Sequence, residues 1–238
     1  MNTSLPDPAS REPLTRVPEA IRCARQSSCT SAVSARLHGV DELRLLDWKR
    51  RVFALYAEVR AAPDPEAAWQ RWRSERDALF RSHPQSPVPA DERERFPGIP
   101  YFEYDPAFRV LGEVVRGDDE LRDVAASGGE IVRFRRFGAV QFELAGRSQE
   151  LALFWLEGYG GGIFLPFADA TSGSQTYGAG RYLLDTVKGA DLGEIEGRLV
   201  LDFNFAYNPS CAYDPRWVCP LSPPENRLAV EVLAGEHY

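Results

Sequence analysis

The stretch EIVRFRRFGAVQFELAGRSQELALFWL (Glu130–Leu156) decides the predicted fold, because apolar and polar residues alternate along much of it. Val140 and Phe142 fall on one face of an extended chain, since the side chains of a strand point alternately to its two faces. Gly138 and the run at 145–147 are typical of hairpin turns. The predicted antiparallel strands are Glu130–Phe137, Val140–Ala145 and Glu150–Leu156.

Strand-like segments continue on both sides of this stretch. They are Tyr101–Tyr104, Phe108–Val115, Gly162–Phe167, Tyr182–Asp185, Arg198–Phe203 and Leu228–Leu233. All are short, they follow one another closely, and no long helix separates them. This arrangement is typical of an antiparallel sandwich or barrel.

Two amphipathic helices precede the strands. In Asp41–Arg60, apolar residues recur at steps of three and four and form one apolar stripe. Asp64 followed by Pro65 is typical of a helix N-cap with proline in the first turn, and the second helix runs from there to about Ser82. The predicted fold class is therefore α+β, with an N-terminal helical hairpin packed on a mainly antiparallel β-sandwich or barrel.

The composition changes along the chain and suggests its domain organisation. Residues 1–38 are rich in Ser, Pro, Arg and Thr without apolar periodicity, which predicts a disordered or loosely attached tail. The helical hairpin occupies residues 39–83 and the β-rich domain residues 84–238. We expect residues 39–238 to form one folded unit.

Charge and hydropathy exclude several classes of function. The net charge of −7 disfavours nonspecific binding to nucleic acid, which depends on clustered Lys and Arg. The longest apolar run, Leu151–Leu156, is far shorter than the roughly 20 residues of a membrane helix. No secretory signal is recognisable. These features predict a soluble cytoplasmic protein with neither nucleic acid nor membrane as a partner.

A glycine- and hydroxyl-rich loop at 171–181 is the first candidate binding element. Its glycines allow backbone N–H groups to converge on a ligand, and its hydroxyls add donors. Arg181 ends the loop and would clamp a carboxylate or phosphate. The alternative is a structural turn in which Arg181 pairs with a nearby acid. The pattern fits neither a Walker loop nor a dinucleotide-binding fingerprint.

Further polar residues follow this loop in the sequence. Asp202 and Asn204 share one face of a predicted strand, and with Asp169 and Glu225 they offer oxygen ligands for a hard cation or for a catalytic water. The alternatives are local bonds to the backbone for Asp202 and Asn204, and for Glu225 an ion pair with Arg181 or Arg227.

The four cysteines give no metal-binding pattern, because neither Cys23 and Cys29 nor Cys211 and Cys219 have C-x-x-C spacing. One alternative for Cys211 and Cys219 is a disulfide that closes a short proline-bearing loop. In a reducing compartment we expect two free buried thiols instead. Cys211 would act as a nucleophile only where its surroundings lower its pKa.

The predicted function is binding of a small polar or anionic ligand. The predicted ligand-binding residues are Thr171, Ser172, Gly173, Tyr177, Gly180, Arg181, Asp202, Asn204, Tyr213 and Glu225. Hydrolytic or acyl-transfer chemistry would need only a water, an acid and an oxyanion site, so catalysis stays open and no cofactor is indicated. The alternatives are a non-catalytic interaction or structural module and a metal-dependent enzyme.

Several long strings resemble one protein family. They are SHPQSPV (Ser82–Val88), FPGIPYFEYDP (Phe96–Pro106), FADATSGSQTYGAGRYL (Phe167–Leu183), LDFNFAYNPSCAY (Leu201–Tyr213), CPLSPPENRL (Cys219–Leu228) and AGE (Ala234–Glu236). From about Val40 to the C-terminus the chain resembles domain-of-unknown-function family 1684, a bacterial and archaeal family. The resemblance implies no catalytic residue and no cofactor.

Overall fold

The computed structural model describes residues 41–158 and 160–238 of the chain. Within these residues the two α-helices are α1 (Asp41–Ala61) and α2 (Pro65–Ser82). The strands are β1 (Arg109–Ala125), β2 (Ile131–Leu144), β3 (Arg147–Leu156), β4 (Ile163–Phe167), β5 (Arg181–Asp185), β6 (Glu194–Ile195) and β7 (Arg198–Asp202). The tail predicted for residues 1–38 lies outside the described residues.

The second helix begins and ends at local signals in the sequence. The Asp64 side chain accepts hydrogen bonds from the backbone N–H groups of Glu66 and Ala67, which are left free at a helix start. The helix ends before Pro84, since a residue preceding proline is driven out of the helical region. Its buried face carries Trp72, whose ring contacts Phe205 with centroids 5.1 Å apart. Packing of this face against the core therefore stabilises the helix.

All seven strands form one antiparallel sheet in the order β5-β4-β3-β2-β1-β7-β6. The sheet is not closed, because β5 and β6 are its two edges and do not pair with each other. The α+β class is confirmed by these two helices and this sheet. The hairpin at 145–147 is also confirmed: Ala145 and Gly146 both have positive φ, as a tight turn between paired strands requires.

Gly138 was predicted as a turn, and this prediction was wrong: β2 continues through it as one strand of 14 residues. The register against β3 shifts between Arg136 and Gly138, so the strand contains a bulge there. The bulge places Phe134 in one apolar cluster and Val140 in another, although both are even-numbered. The sequence pattern suggested two strands because a bulge interrupts alternation just as a turn does.

Two other predicted strands are absent. Tyr101–Tyr104 makes one isolated bridge, from Tyr101 to Glu236, and Leu228–Leu233 is an irregular segment. Leu228–Leu233 alternates in hydrophobicity because it lies against the core, where Leu228 donates a backbone hydrogen bond to Ala168 O (2.8 Å). Conversely, β1 extends to Ala125, well beyond the predicted end. Its added part is mostly exposed on both faces and therefore shows no alternation.

The bulge predicts a strong difference between two neighbouring glycines. A Cβ at Gly138 would lie 2.4 Å from Val115 O, whereas a Cβ at Gly117 would meet nothing nearer than 3.7 Å. We expect Gly138→Ala to lower the free energy of unfolding by about 1–3 kcal/mol, the usual effect of overpacking. Gly117→Ala, as the matched control, should change it by less than about 0.5 kcal/mol. Urea unfolding measures both, and equal effects would contradict the close approach.

Candidate functional site

The ends of the glycine-rich loop are joined by a buried ion pair. Asp169 follows β4 and Arg181 begins β5, and the two strands pair through Phe167 and Arg181. Arg181 Nη2 donates to Asp169 Oδ2 at 2.8 Å, and both side chains are fully buried. The sequence left two interpretations of Arg181, an anion clamp or a partner of a nearby acid. In the structure Asp169 is that acid.

The remaining contacts of Arg181 are also made within the chain. Nη2 donates to Val232 O (3.0 Å), and Nη1 donates to Ala234 O and to Glu236 O (3.1 Å). The guanidinium carbon lies 5.1 Å from the centroid of the Phe167 ring. Burial lowers the pKa of Arg181, and the negative charge of Asp169 opposes this effect. Arg181 thus fastens the C-terminal segment to the sheet.

The other loop residues bond mainly to the loop itself. Thr171 Oγ1 donates to Asp169 Oδ1, Ser172 Oγ accepts from Asp169 N–H (3.0 Å), and Gly173 N–H donates to Thr176 O (2.8 Å). Gly180 has a φ of +90°, and a Cβ there would lie 2.5 Å from Phe167 O. The glycine is therefore required by the close approach of two backbones.

A second buried cluster surrounds a carboxylate that the prediction missed, Glu236. Its Oε2 accepts from the Tyr213 hydroxyl (2.6 Å) and from the Asn208 N–H (2.7 Å), and its Oε1 forms an ion pair with Arg76 on α2. Tyr213 therefore binds inside the protein to a residue from the chain end. Glu236 lies in the AGE string that contributes to the family resemblance, but the sequence analysis predicted no role for that string.

Two predicted residues lie elsewhere. Glu225 is exposed and pairs with Arg122 across 3.7 Å, instead of with Arg181 or Arg227 as the sequence suggested. The Tyr177 hydroxyl lies 3.6 Å from Cys211 Sγ, and its ring contacts that of Tyr238. In the part of the chain that the structure describes, the side chains of Tyr177 and Glu225 form no hydrogen bond or ion pair with Asp169 or Arg181.

The buried ion pair predicts a large loss of stability when one partner is removed. We expect Arg181→Gln to lower the free energy of unfolding by about 3–5 kcal/mol, because Asp169 would stay buried without its counter-charge. Adding Asp169→Asn should recover part of the loss, a coupling that a double-mutant cycle isolates.

The matched control for this experiment is Arg147→Gln, which makes the same chemical change at an exposed hairpin position. Its effect on the unfolding free energy should stay within about 0.5 kcal/mol. Equal small effects for Arg181→Gln and Arg147→Gln in urea titrations would contradict a structural role for Arg181.

Asp202 and Asn204 lie together at the end of β7. Asp202 Oδ1 accepts from the backbone N–H (3.1 Å) and the side-chain amide (2.9 Å) of Asn204. The Asn204 side chain also bonds to Asp105 N–H (3.0 Å) and to Asp105 O (2.9 Å). Asp202 Oδ1 thus makes the bond to the local backbone that the sequence analysis gave as an alternative to ligand binding.

The other oxygen of Asp202 is different. Oδ2 is buried and has no hydrogen-bond partner, and Arg109 Nε lies 3.6 Å from it. Burial raises the pKa of Asp202 to about 6, although bonds from Asn204 and the charge of Arg109 lower it. A carboxyl group of this kind changes protonation state close to neutral pH and lacks one partner.

A cavity of about 200 Å³ lies beside this carboxyl group. Four charged residues line it, the arginines Arg60 and Arg109 and the acids Glu194 and Asp202. Arg60 Nη1 is oriented by a hydrogen bond to Asp191 O (2.7 Å). The sequence missed both arginines: Arg109 faces Asp202 only through the pairing of β1 with β7, which no local pattern reveals.

The predicted site residues therefore fall into separate clusters. Arg181 and Asp169 bond to the C-terminal segment, Tyr213 bonds to Glu236, and Asp202 lines the cavity. The residues of the glycine-rich loop do not line that cavity. Within residues 41–158 and 160–238, no group of three His, Cys, Asp or Glu side chains is placed to hold a metal ion.

The raised pKa of Asp202 predicts a specific pH dependence of stability. The folded protein keeps this proton up to about pH 6, whereas the unfolded chain loses it near pH 3.9. The stabilisation of the folded state by this proton is therefore fully present below about pH 4 and is lost as the pH rises through about 6. The unfolding free energy of the wild type, minus that of Asp202→Asn, should fall by about 2–3 kcal/mol between pH 4 and 7.

Urea titrations at several pH values measure this difference. Asp118→Asn, at an exposed position, is the control that makes the same chemical change and should give a flat difference. A flat difference for Asp202→Asn as well would show that the carboxyl group titrates like one in the unfolded chain.

Comparison with known proteins identifies the family of this chain. Residues 94–237, more than half of the chain, match the model of the family described as "Protein of unknown function (DUF1684)". The chain belongs to this family. The lining of the cavity beside Asp202 extends beyond the residues matched by the DUF1684 model. Arg60, which lies on α1 before the matched residues, belongs to it. No curated protein matches the chain.

A solved structure among those that match is similar to this DUF1684 protein in both sequence and fold. It is the solution NMR structure of an uncharacterised protein from gene locus rrnAC0354 of Haloarcula marismortui. The two chains are 38% identical with a TM-score of 0.53, over 73% of this chain and 94% of the other. In the part of the chain that the structure describes, no helix is long and apolar enough to cross a membrane.

Proposed function

We propose that the protein binds a small organic anion that also carries a hydrogen-bond donor, in the cavity beside Asp202. The observation that carries the proposal is the buried Asp202 Oδ2, which lacks a hydrogen-bond partner at a cavity that two arginines also line. Buried polar groups in folded proteins are nearly always satisfied, so an unsatisfied one calls for an explanation.

The two arginines define the charge of the proposed ligand. Arg109 and Arg60 are each about one-third exposed, so their guanidinium groups are partly desolvated and still accessible. Guanidinium groups bind carboxylates and phosphates through paired hydrogen bonds. A carboxylate or phosphate is therefore the acidic group that this cavity suits.

Asp202 defines the second feature of the ligand. Ionised Oδ2 needs a donor, and a hydroxyl or amine beside the acidic group of the ligand would supply it. Hydroxy acids and sugar phosphates combine both groups. A cavity of about 200 Å³ has room for such a molecule, since an engineered cavity of about 150 Å³ accommodates benzene.

The glycine-rich loop is the other place where an arginine clamp was predicted. A ligand there would have to displace Asp169 from Arg181, and breaking a buried ion pair costs about 3–5 kcal/mol. The cavity arginines also face acids, Arg60 with Asp191 at 3.5 Å and Arg109 with Asp202 at 3.6 Å. Because both arginine side chains are about one-third exposed, a ligand loses less by displacing these contacts than by breaking the buried pair. We therefore place the proposed arginine clamp at Arg60 and Arg109, while Asn204 keeps a role because it orients Asp202.

A hydrolytic version of the proposal uses the same residues. A carboxyl group with a pKa of about 6 is close to the range in which a general base works at neutral pH. Asp202 would accept a proton from a water molecule held between Oδ2 and the bound anion. Binding of the anion is the step that both versions share, and it is the step to test first.

The second candidate is a non-catalytic interaction module, and one observation favours it. Leu43, Leu45, Leu46 and Phe53 on α1 are each at least 40% exposed, a concentration of apolar side chains on one helix. A module of this kind needs no buried carboxylate oxygen without a hydrogen-bond partner. The unpartnered Oδ2 of Asp202 therefore favours the ligand-binding proposal.

Thermal unfolding with matched pairs of small molecules tests the ligand proposal. Each hydroxy acid or sugar phosphate is paired with its analogue that lacks the hydroxyl group. A ligand present at about 100 times its Kd should raise Tm by about 5–10 °C, and its analogue should raise it less. Arg109→Gln and Asp202→Asn should each weaken binding by about 10- to 100-fold, the loss expected for a charged hydrogen bond.

The matched control is again Arg147→Gln, which removes one exposed arginine and changes the net charge by the same amount. Equal weakening by Arg109→Gln and Arg147→Gln would reduce the effect to overall charge and contradict a site at the cavity. Stabilisation by no compound in the panel would favour the interaction module.

A further inference from the structure

A second cavity, of about 380 Å³, is lined by α1 and by the loops that follow α2, β5 and β7. Its wall is mainly apolar and includes two indole rings, Trp48 on α1 and Trp217. Cys219 adds a buried thiol to this wall, and because Cys219 and Cys211 are both free, no disulfide closes the loop between them. This larger cavity shares no lining residue with the cavity beside Asp202, so it is a separate place for a ligand.

Two lysines give the larger cavity a positive charge. The sequence contains only two lysines, Lys49 and Lys188, and both line this cavity, whereas none of its described lining residues is Asp or Glu. Lys188 Nζ pairs with Asp185 at 3.2 Å, but the Lys188 side chain is 61% exposed, and such a surface pair contributes little. Lys49 has no ion-pair partner among the residues that the structure describes. The larger cavity therefore suits an anion with an apolar body.

A smaller cavity of about 80 Å³ adjoins the larger one, because several residues line both. The shared residues are Trp48, Pro87, Lys188 and Ser210. Tyr56 and Asn208 line the smaller cavity alone, and they are only 2% and 6% exposed. The smaller cavity thus forms a buried extension of the larger one.

The buried extension contains polar atoms that the protein leaves unsatisfied. Tyr56 Oη and Asn208 Oδ1 are buried and have no hydrogen-bond partner, and the same is true of Trp217 Nε1 in the larger cavity. Burial raises the pKa of the Tyr56 hydroxyl, so that it stays protonated, and the Trp72 N–H opposes this effect without reaching hydrogen-bond geometry. Since buried polar groups are nearly always satisfied, these atoms indicate a missing partner in the two cavities.

A hydroxyl group is the partner that suits the smaller cavity. It can donate to Asn208 Oδ1 and accept from the Tyr56 hydroxyl at the same time. A carboxylate would fit poorly, because Asn208 Oδ1 is itself an acceptor and the cation in this wall, Arg76, is already paired with Glu236. The hydroxyl group of a ligand therefore belongs in the smaller cavity and its acidic group at the two lysines.

We propose that the two adjoining cavities together bind an aromatic hydroxycarboxylic acid. Its carboxylate binds at the two lysines, its ring packs against the two indoles of the larger cavity, and its hydroxyl group enters the smaller cavity, where Tyr56 and Asn208 bind it. Asn208 is held for this contact by its backbone N–H, which donates to Glu236 Oε2 (2.7 Å). The larger cavity has room for a ring with a short side chain, since about 150 Å³ accommodates benzene.

Calorimetric titration of the full chain with three probes tests each feature of this ligand. The probe 4-hydroxycinnamate carries all of them, cinnamate lacks the hydroxyl group, and 4-hydroxycinnamamide lacks the negative charge. We expect 4-hydroxycinnamate to bind about 5- to 10-fold more tightly than either analogue, the ratio for one hydrogen bond or one partly exposed ion pair. Equal affinities for 4-hydroxycinnamate and cinnamate, or no binding at millimolar concentration, would overturn the proposal without any variant.

Tyr56→Phe separates a hydroxyl that binds a ligand from one that serves folding. Because Tyr56 Oη has no partner in the protein, its removal should not lower Tm, yet it should abolish the preference for 4-hydroxycinnamate over cinnamate. Tyr101→Phe is the matched control: the Tyr101 hydroxyl accepts from Arg76 Nε (3.2 Å), so its loss should lower Tm and keep the preference. A preference that persists in Tyr56→Phe would overturn the proposal.

Lys49→Gln tests the position of the carboxylate. It should weaken binding of 4-hydroxycinnamate about 5-fold and leave binding of the amide unchanged. Arg50→Gln removes the same charge at the next, exposed position of α1 and should change neither. Arg109→Gln should also change neither, because Arg109 lines the cavity beside Asp202 and not this one. Weakening by Arg109→Gln but not by Lys49→Gln would move the compound to that other cavity and overturn the proposal, as would equal effects of Lys49→Gln and Arg50→Gln.

Discussion

The buried ion pair between Asp169 and Arg181 is the interaction on which the rest of the structure depends. Arg181 starts the edge strand β5 and donates to three backbone carbonyl groups of the C-terminal segment, at Val232, Ala234 and Glu236. That segment forms no strand, so its buried carbonyls cannot be satisfied by a ladder of hydrogen bonds. Asp169 compensates the charge that this arrangement buries. The pair therefore replaces the sheet pairing that the segment lacks.

The segment held in this way carries a second ion pair into the core. Glu236 meets Arg76 of α2 there and is also bound by Tyr213 and Asn208. The guanidinium of Arg76 lies over the rings of Trp72, Phe80 and Tyr207. One short stretch of chain thus joins the sheet, through Arg181, to the helices, through Arg76. Each ion pair helps to order the C-terminal segment on which the other ion pair depends. Their contributions to the free energy of unfolding are therefore interdependent.

The sequence was informative where the determining interactions are local. The N-cap at Asp64 and the proline after Ser82 delimit α2, and residues 145–147 form the predicted turn. The ion pair of Arg181 with an acid was also available as an alternative, since Asp169 lies only twelve residues away along the chain. In each case the residues that cause the structure are close together in the sequence.

Interactions between distant segments could not be predicted in this way. Gly138 has the same local signature in a bulge as in a turn, and only its approach to Val115 on the paired strand distinguishes them. Arg109 faces Asp202 because β1 and β7 pair in one register across more than ninety residues. The sequence therefore named Asp202 and Asn204 but not the arginines beside them. The same holds for Glu236, whose partners come from α2 and from the loop after β7.

A comparison of the buried carboxylates explains why Asp202 carries the functional proposal. Asp169 and Glu236 each have both oxygens engaged by donors, and both face a guanidinium within hydrogen-bonding distance. Asp202 has one oxygen engaged and the other without a hydrogen-bond partner, beside a guanidinium that is still 3.6 Å away. A fold that satisfies two buried carboxylates so fully has the means to satisfy a third. Local consistency tends to fail where a site serves a purpose other than folding, and the missing hydrogen-bond partner of Asp202 Oδ2 is therefore the observation on which the proposal of a ligand rests.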